Sequence, residues 1–274
     1  QTMLDPADCG PACIALSQDV QGQTFEYPEE FFNEKVHTIR RPRPDEFQIK
    51  EAAQKIKSSK NPIIISGGGV FYSDAMEELS NFAIKHNIPV TQTVMGYSTM
   101  KRDHSHYAGQ IGGLGGKNTN SLAKKTDLAI AVGTKLADFT TGSWANFENE
   151  NFKLVSINVS RFDANKHLAQ AVVGDAKVSL NELSLALGDW KAKDEWNKKS
   201  QVELKAWNEH VDKVSAPSNQ EIPSYVQVIG SVYRNSDPSD IAVTAAGGLV
   251  GEVVQVWRPR ELNTHETEWG FSCM

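Results

Sequence analysis

Short runs of consecutive apolar residues alternate with amphipathic segments through the middle of the chain. The runs follow one another as "PIIIS" (62–66), "PVTQTV" (89–94), "LAIAV" (128–132), "KLVSINV" (153–159) and "AVV" (171–173). Their apolar residues are consecutive, not alternating, which is typical of strands buried on both faces of a parallel sheet. Helical stripes such as Ile49, Ala52 and Ile56 lie between them. The pattern predicts an α/β domain with a doubly wound, mostly parallel sheet.

The first glycine cluster, Gly67-Gly68-Gly69, follows a predicted strand and precedes a predicted helix. That position suits a phosphate bound at the amides of a helix N-terminus. The dinucleotide fingerprint is incomplete, because Tyr72 stands where its third glycine belongs. A tight turn is therefore favoured over a nucleotide site.

The second glycine cluster, "YAGQIGGLGGKN" (107–118), lies outside the strand and helix patterns and resembles an active-site lid or ligand loop. Asp103, His104 and His106 precede it and could suggest a metal site. An isolated His-x-His is weak support for a metal. We expect these residues to lie in a solvated loop.

The third glycine cluster lies near the end of the chain, where "DIAVTA" (240–245) predicts a strand before Gly247, Gly248 and Gly251. A helix should follow up to Trp257. This strand–glycine–helix order is the most favourable phosphate cradle in the chain, and a plain tight turn is the alternative.

Both ends of the sequence suggest incomplete domains. The run 12–16 predicts one buried strand whose partners should lie upstream, with Cys9 and Cys13 as buried thiols. The closing stretch 263–274 predicts no element after its loop, which leaves the strand 240–245 without a sheet. Residues 190–215 predict a strongly charged helix lying on the domain surface.

Composition narrows the function classes. The formal net charge is −6 without a basic block, so nothing favours nucleic-acid binding. No apolar run is long enough to span a bilayer, so no membrane partner is expected. Three cysteines do not form a disulfide framework and favour a reducing, cytoplasmic compartment.

Several stretches resemble the thiamine-diphosphate enzymes, and among them the trihydroxycyclohexanedione hydrolases of inositol catabolism. They are "GPACIALSQDVQG" (10–22), "FFNEKVHTIRR" (31–41), "IKSSKNPIIISGGG" (56–69), "KLVSINVSRFDANK" (153–166), "VVGDAKVSLNEL" (172–183) and "EWGFSCM" (268–274). The resemblance covers nearly the whole chain.

The resemblance implies a division of the chain into four parts. Residues 1–30 would be the end of a pyrimidine-binding domain with its linker, 31–190 a Rossmann-like middle domain, 191–222 a charged linker helix, and 223–274 the start of a diphosphate-binding domain. The chain would then be the central fragment of a longer enzyme.

The same resemblance implies thiamine diphosphate and Mg²⁺ as cofactors, a small cyclic dione as substrate, and a homodimer or homotetramer. Carbon–carbon cleavage would open the ring of the dione. Gly247, Gly248 and Leu249 would offer backbone amides to the diphosphate, Ser272 a carbonyl to the 4′-amino group, and Met274 a contact beside the pyrimidine.

Two parts of the family's machinery do not occur in this sequence: the glutamate that activates the pyrimidine, and the Gly-Asp-Gly…Asn motif that holds the metal. We therefore expect no catalytic residue and no metal ligand in this chain, which should be inactive and bind no cofactor by itself. An acetolactate-synthase-like lyase or transferase, and a non-catalytic nucleotide-binding module, are the alternative functions.

Overall fold

The computed structural model describes residues 2–245 and 247–267 of the chain. In these ranges the strands are β1 (Pro62–Ser66), β2 (Val90–Gln92), β3 (Tyr107–Gln110), β4 (Leu128–Val132), β5 (Lys153–Asn158), β6 (Gln170–Val173), β7 (Ala242–Thr244) and β8 (His265–Thr267). The first six form a main sheet in the order β3-β2-β1-β4-β5-β6, and every neighbouring pair is parallel. The predicted doubly wound α/β sheet is confirmed.

Helices cover both faces of the main sheet. The described α-helices are α1 (Gln18–Gln21), α2 (Glu46–Lys57), α3 (Gly68–Tyr72), α4 (Met76–His86), α5 (Lys117–Lys125), α6 (Asp138–Thr141), α7 (Arg161–Ala164), α8 (Ala176–Leu187), α9 (Asp194–Val214), α10 (Tyr225–Asn235) and α11 (Gly248–Val256). Short 3₁₀ turns lie at Glu29–Phe32, Val94–Gly96 and Lys166–Leu168. None of these helices is both long enough and apolar enough to cross a membrane.

Strand β1 shows why the apolar runs are continuous. Ile64 packs with α2, α4 and α8 in the core on one face, whereas Ile63 and Ile65 pack with α5 and the start of α9 on the other. All three isoleucines have no exposed surface. Since successive side chains of a strand point to opposite faces, burial of both faces requires an apolar residue at every position.

Helix α9 is the long charged helix that the sequence predicts. Its apolar stripe is buried at Trp196, Leu204 and Val211. The indole Nε1 of Trp196 donates to the carbonyl oxygen of Pro62 at 2.7 Å, at the start of β1. Gln201 donates to the carbonyl oxygen of Tyr107 at 2.9 Å, so the helix also lies along the edge strand β3.

A third core forms between α9, α10 and α11. Its buried residues are Tyr97, Val211, Ile229, Tyr233, Val253, Val256 and Trp257. Tyr97 belongs to the connection between β2 and β3, and its ring packs edge-on against His265 with centroids 4.6 Å apart. The last part of the chain therefore packs against the middle domain through this tyrosine.

The predictions for the chain ends need correction. Residues 12–16 form no strand, and Ile14 and Leu16 are exposed. The thiols of Cys9 and Cys13 are free and exposed, not buried. An apolar run becomes a buried strand only where a neighbouring strand accepts its backbone hydrogen bonds, and nothing described lies beside this run.

The prediction that β7 has no sheet to join is also wrong. β7 and β8 pair in parallel, with Ala242 opposite His265 and Thr244 opposite Thr267. We call this pair the small sheet. Helix α11 connects its two strands, so the third part of the chain contains a β–α–β unit.

Candidate functional site

The glycines after β1 are packed against the chain's own backbone. The amide of Gly67 donates to the carbonyl oxygen of Val132, and that of Gly69 to Gly133, both at 2.9 Å. A Cβ atom built on Gly69 would lie 2.6 Å from the Cα of Gly133. Because β1 and β4 are the two strands at which the sheet order reverses, these contacts close the crevice where doubly wound folds place ligands. They agree with the tight turn that was favoured over a nucleotide site.

The second glycine cluster does not lie outside the strands and helices, as the sequence suggested. Its first residues form β3 and are buried, and its last residues begin α5. A Cβ on Gly112 would lie 2.1 Å from the carbonyl oxygen of Phe139, and one on Gly115 would lie 2.4 Å from that of Gln110. These glycines therefore allow segments of backbone to approach closely.

The segment before β3 is a loop in which Asp103 is exposed, as expected, but His104 is half-buried and His106 is buried. The Nε2–H of His106 donates to the Oδ1 of Asn87 at 3.0 Å, and the Nε2 of His104 lies 2.9 Å from the Oγ of Ser80. Burial lowers the pKa of His106 to about 4. Across the described ranges no three His, Cys, Asp or Glu side chains converge as metal ligands. The pair is a structural hydrogen-bonding unit.

The third glycine cluster differs from the other two because it faces open space. A Cβ atom on Gly247 or Gly248 would meet no atom of the described residues within 4 Å. Gly247 has φ +142°, a conformation that disfavours any side chain, and Leu249 is half-exposed. The first amides of α11 have no acceptor within the helix, and they concentrate positive potential at its N-terminus. This loop can therefore receive an anionic group.

Two hydroxyl groups lie at the carboxyl ends of the small sheet. Thr244 and Thr267 are opposite each other in the register. The Oγ1 atom of each is buried and has no hydrogen-bond partner in the described part of the chain. A buried hydroxyl without a partner costs about 1–3 kcal/mol, so a polar ligand at this edge would gain from binding there.

The described residues fit the diphosphate group of the implied cofactor. They supply backbone amides at Gly248 and Leu249, a glycine cradle without side chains, and the hydroxyls of Thr244 and Thr267 at the ends of the two strands. Ser272 and Met274, the remaining predicted contacts, lie outside the described residues.

Neither threonine is predicted as a site residue from the sequence. β8 reads His-Glu-Thr and has neither an apolar run nor a β-branched repeat. The one sequence feature that indicates β8 is the strand–glycine–helix order before it. A helix that follows a strand in this way usually connects it to a second, parallel strand.

Comparison with known proteins shows similarity to one family profile and to a group of hydrolases. Residues 49–183 match the profile described as "Thiamine pyrophosphate enzyme, central domain". The 3D-(3,5/4)-trihydroxycyclohexane-1,2-dione hydrolase of Clostridium tetani is 39% identical, and the alignment covers 100% of this chain and 46% of the relative. The hydrolases of the same name from Bacillus licheniformis and Geobacillus thermodenitrificans are each 36% identical over 100% of this chain, covering 47% and 46% of those relatives.

The chain thus spans about half the length of the curated relatives it matches. The profile falls on the main sheet and its helices, from α2 through α8. The similarity to the hydrolases continues through α9, α10 and the small sheet, because it covers the entire chain. Residues 49–183 match the central domain of the thiamine pyrophosphate enzymes, and the whole chain is similar to the hydrolases named above.

Proposed function

We propose that the whole protein containing this chain is a thiamine-diphosphate-dependent hydrolase that cleaves a carbon–carbon bond in trihydroxycyclohexane-1,2-dione during inositol catabolism. The observation that carries the proposal is the similarity to relatives of that name along 100% of the chain, at 36–39% identity. A shared central domain alone would favour any enzyme of the superfamily. Similarity that extends through α9 and the small sheet favours the hydrolases.

In this proposal the third glycine cluster binds the diphosphate. Gly248 and Leu249, in the first turn of α11, would offer their amides to the anion, and Gly247 would keep the approach free of side chains. The hydroxyls of Thr244 and Thr267 lie at the same edge and can hydrogen-bond to the cofactor. Thiamine diphosphate held there would supply a nucleophilic carbon and an electron sink for cleavage of the carbon–carbon bond. Ser272 and Met274 are proposed to contact its pyrimidine ring, as the family resemblance implies.

We further propose that the 274-residue chain does not bind the cofactor tightly by itself. The activating glutamate and the Gly-Asp-Gly…Asn motif are absent from its sequence. Each remaining neutral hydrogen bond contributes about 1 kcal/mol net. A few such bonds cannot offset the immobilisation of a cofactor, which costs at least about 4 kcal/mol. Calorimetric titration of this chain with thiamine diphosphate and Mg²⁺ should show no saturation in the low micromolar range, and saturation there would refute this point.

The assembly and compartment of the protein follow as proposals. The family resemblance implies that the cofactor lies between domains of two subunits, so we propose a homodimer or a homotetramer. The exposed, unpaired thiols of Cys9 and Cys13 suit a reducing cytoplasm. Analytical ultracentrifugation of the full-length protein would determine the subunit number.

The activity is tested on the full-length protein with the cyclic dione, measuring release of the open-chain acid. Gly248→Ala is the diagnostic variant and Gly10→Ala its matched control, because a Cβ at either position meets no protein atom within 4 Å. Only the methyl group at position 248 would fill the diphosphate cradle. We expect the apparent affinity for thiamine diphosphate to fall about tenfold in Gly248→Ala, which corresponds to losing one charge-assisted hydrogen bond, and to stay unchanged in Gly10→Ala.

Two results would contradict the proposal. Formation of acetolactate from pyruvate without ring opening would assign the protein to the synthase-like enzymes. Equal cofactor affinity in both glycine variants would remove the third glycine cluster from the site while leaving the reaction itself intact.

A further inference from the structure

A second concave site lies between the middle domain and the third core. Its volume is about 600 Å³, within the range of about 300–1,000 Å³ that is usual for small-molecule sites. Its lining includes Arg102, Asp103, Asn208, Tyr233, Arg234 and Arg258. We call it the arginine cavity. It shares no lining residue with the third glycine cluster.

One wall of the arginine cavity is fixed by close backbone packing. Ser215 is buried, and a Cβ atom on Gly230 of α10 would lie 2.6 Å from the Cβ of Ser215. The glycine therefore allows the segment after α9 to lie directly on α10. The guanidinium of Arg234 donates to the carbonyl oxygen of Ser215 at 2.8 Å and orients the arginine along this wall.

Tyr233 organises the other two arginines. Its hydroxyl accepts a hydrogen bond from the Nη1 of Arg102 at 2.8 Å and donates one to the carbonyl oxygen of Arg258 at 3.0 Å. The Cζ atoms of Arg102 and Arg258 lie 5.9 and 5.6 Å from the centre of the tyrosine ring. These contacts hold both guanidinium groups at the cavity through cation–π attraction and hydrogen bonding.

The cavity has more positive than negative charge. The Nη2 of Arg258 pairs with a carboxylate oxygen of Asp212 at 2.5 Å, which neutralises both groups. Among the described residues, no carboxylate lies within 4 Å of the guanidinium of Arg102 or Arg234. Asp103 is the remaining charged group of the lining, so one positive charge is left over. This excess stands out in a protein with a formal net charge of −6.

We infer that the arginine cavity binds a small hydroxylated oxyanion, such as a sugar acid or a sugar phosphate. The planar guanidinium of Arg102 or Arg234 can bind a carboxylate or a phosphate through two parallel hydrogen bonds. The carboxylate of Asp103 and the side-chain amide of Asn208 can accept hydrogen bonds from hydroxyl groups of the same ligand. The site is independent of the thiamine diphosphate that the proposed reaction requires.

The test is a calorimetric titration of the 274-residue chain with D-glucuronate, D-glucose 6-phosphate and neutral D-glucose. We expect saturable binding of at least one of the two anions with a dissociation constant below about 1 mM, and no saturation with glucose. Arg102→Gln and Arg234→Gln should each weaken binding by about tenfold or more, as expected when a charge-assisted hydrogen bond is lost. The matched control is Arg40→Gln, which removes the same charge from an exposed position outside the cavity.

The two anions distinguish the possible oxyanions. Binding of glucuronate alone assigns a carboxylate, binding of glucose 6-phosphate alone assigns a phosphate, and binding of both supports the shared chemistry. The inference is overturned if neither anion binds, if glucose binds as well as the anions, or if Arg40→Gln weakens binding as much as the cavity variants do. Both arginines are exposed, so each variant should stay folded, and its thermal midpoint compared with that of the wild type separates a loss of binding from unfolding.

Discussion

Gly69→Ala tests the conclusion that the glycines after β1 serve packing. A new Cβ atom would lie 2.6 Å from the Cα of Gly133, whereas an ordinary contact is about 3.4 Å. The two backbone segments would therefore have to move apart by about 0.8 Å. Neither backbone can move away easily. The amide of Gly69 is bonded to the carbonyl oxygen of Gly133, and the amide of Gly133 to that of Ile157, both at 2.9 Å.

Two opposing effects decide the sign of the change. Alanine improves helix propensity by at most about 1 kcal/mol, because Gly69 lies in α3. Overpacking a rigid backbone contact costs about 1–3 kcal/mol. The free energy of unfolding should therefore fall by about 1–2 kcal/mol, and the thermal midpoint by about 2–8 °C.

Urea unfolding followed by circular dichroism measures this change. The control is Gly248→Ala, also in the first turn of a helix, where a Cβ meets no atom within 4 Å. Its stability should be unchanged or slightly higher. If Gly69→Ala were as stable as Gly248→Ala, the packing explanation would be wrong. The alternative, that the first glycine cluster is a nucleotide site, would then be supported.

Two further predictions concern the pH dependence of stability and the packing of α9. Burial lowers the pKa values of His106 and His265 to about 4. The unfolded chain binds these protons near pH 6.5, whereas the folded chain binds them only near pH 4. Urea unfolding should therefore show full stability above about pH 6.5 and a decline toward pH 4. His265→Phe should make this decline shallower, and an unchanged slope would contradict the role given to His265. Leu204→Ala on α9 should lower the free energy of unfolding by about 2–5 kcal/mol, since Leu204 is buried in the core that also contains Ile64. Val202→Ala on the exposed side of α9 should change it by less than about 0.5 kcal/mol. Equal effects of the two variants in a thermal melt would show that α9 does not pack as described.

The sequence predicted the centre of the main sheet because its signal there is local. β1, β4 and β5 are buried on both faces, so each carries an apolar run that can be read without knowledge of its neighbours. β3 was missed because Tyr-Ala-Gly-Gln resembles a loop. Its burial depends on α9, which begins more than 80 residues later and covers it through Gln201.

The candidate site was predictable only in part, for the same reason. Gly247 and Gly248 could be recognised from their position after a strand. Thr244 and Thr267 become a pair only when β7 and β8 lie side by side, and two polar residues 23 positions apart carry no signal of that pairing. Residues 12–16 show the opposite case. Their apolar run predicts a strand, but no described strand lies beside them to accept their backbone hydrogen bonds.

The backbone contact between Gly69 and Gly133 has a consequence for how this chain could diverge. Each glycine is required by the other's main chain and by no ligand, so replacing either is costly whether or not the protein still catalyses a reaction. Gly248 carries no such constraint within the described residues, none of which lies within 4 Å of a Cβ atom built there. In a descendant that had lost its chemistry, we expect Gly69 and Gly133 to persist together while position 248 accumulates substitutions. The rate of change at these three positions would thus separate loss of function from loss of fold.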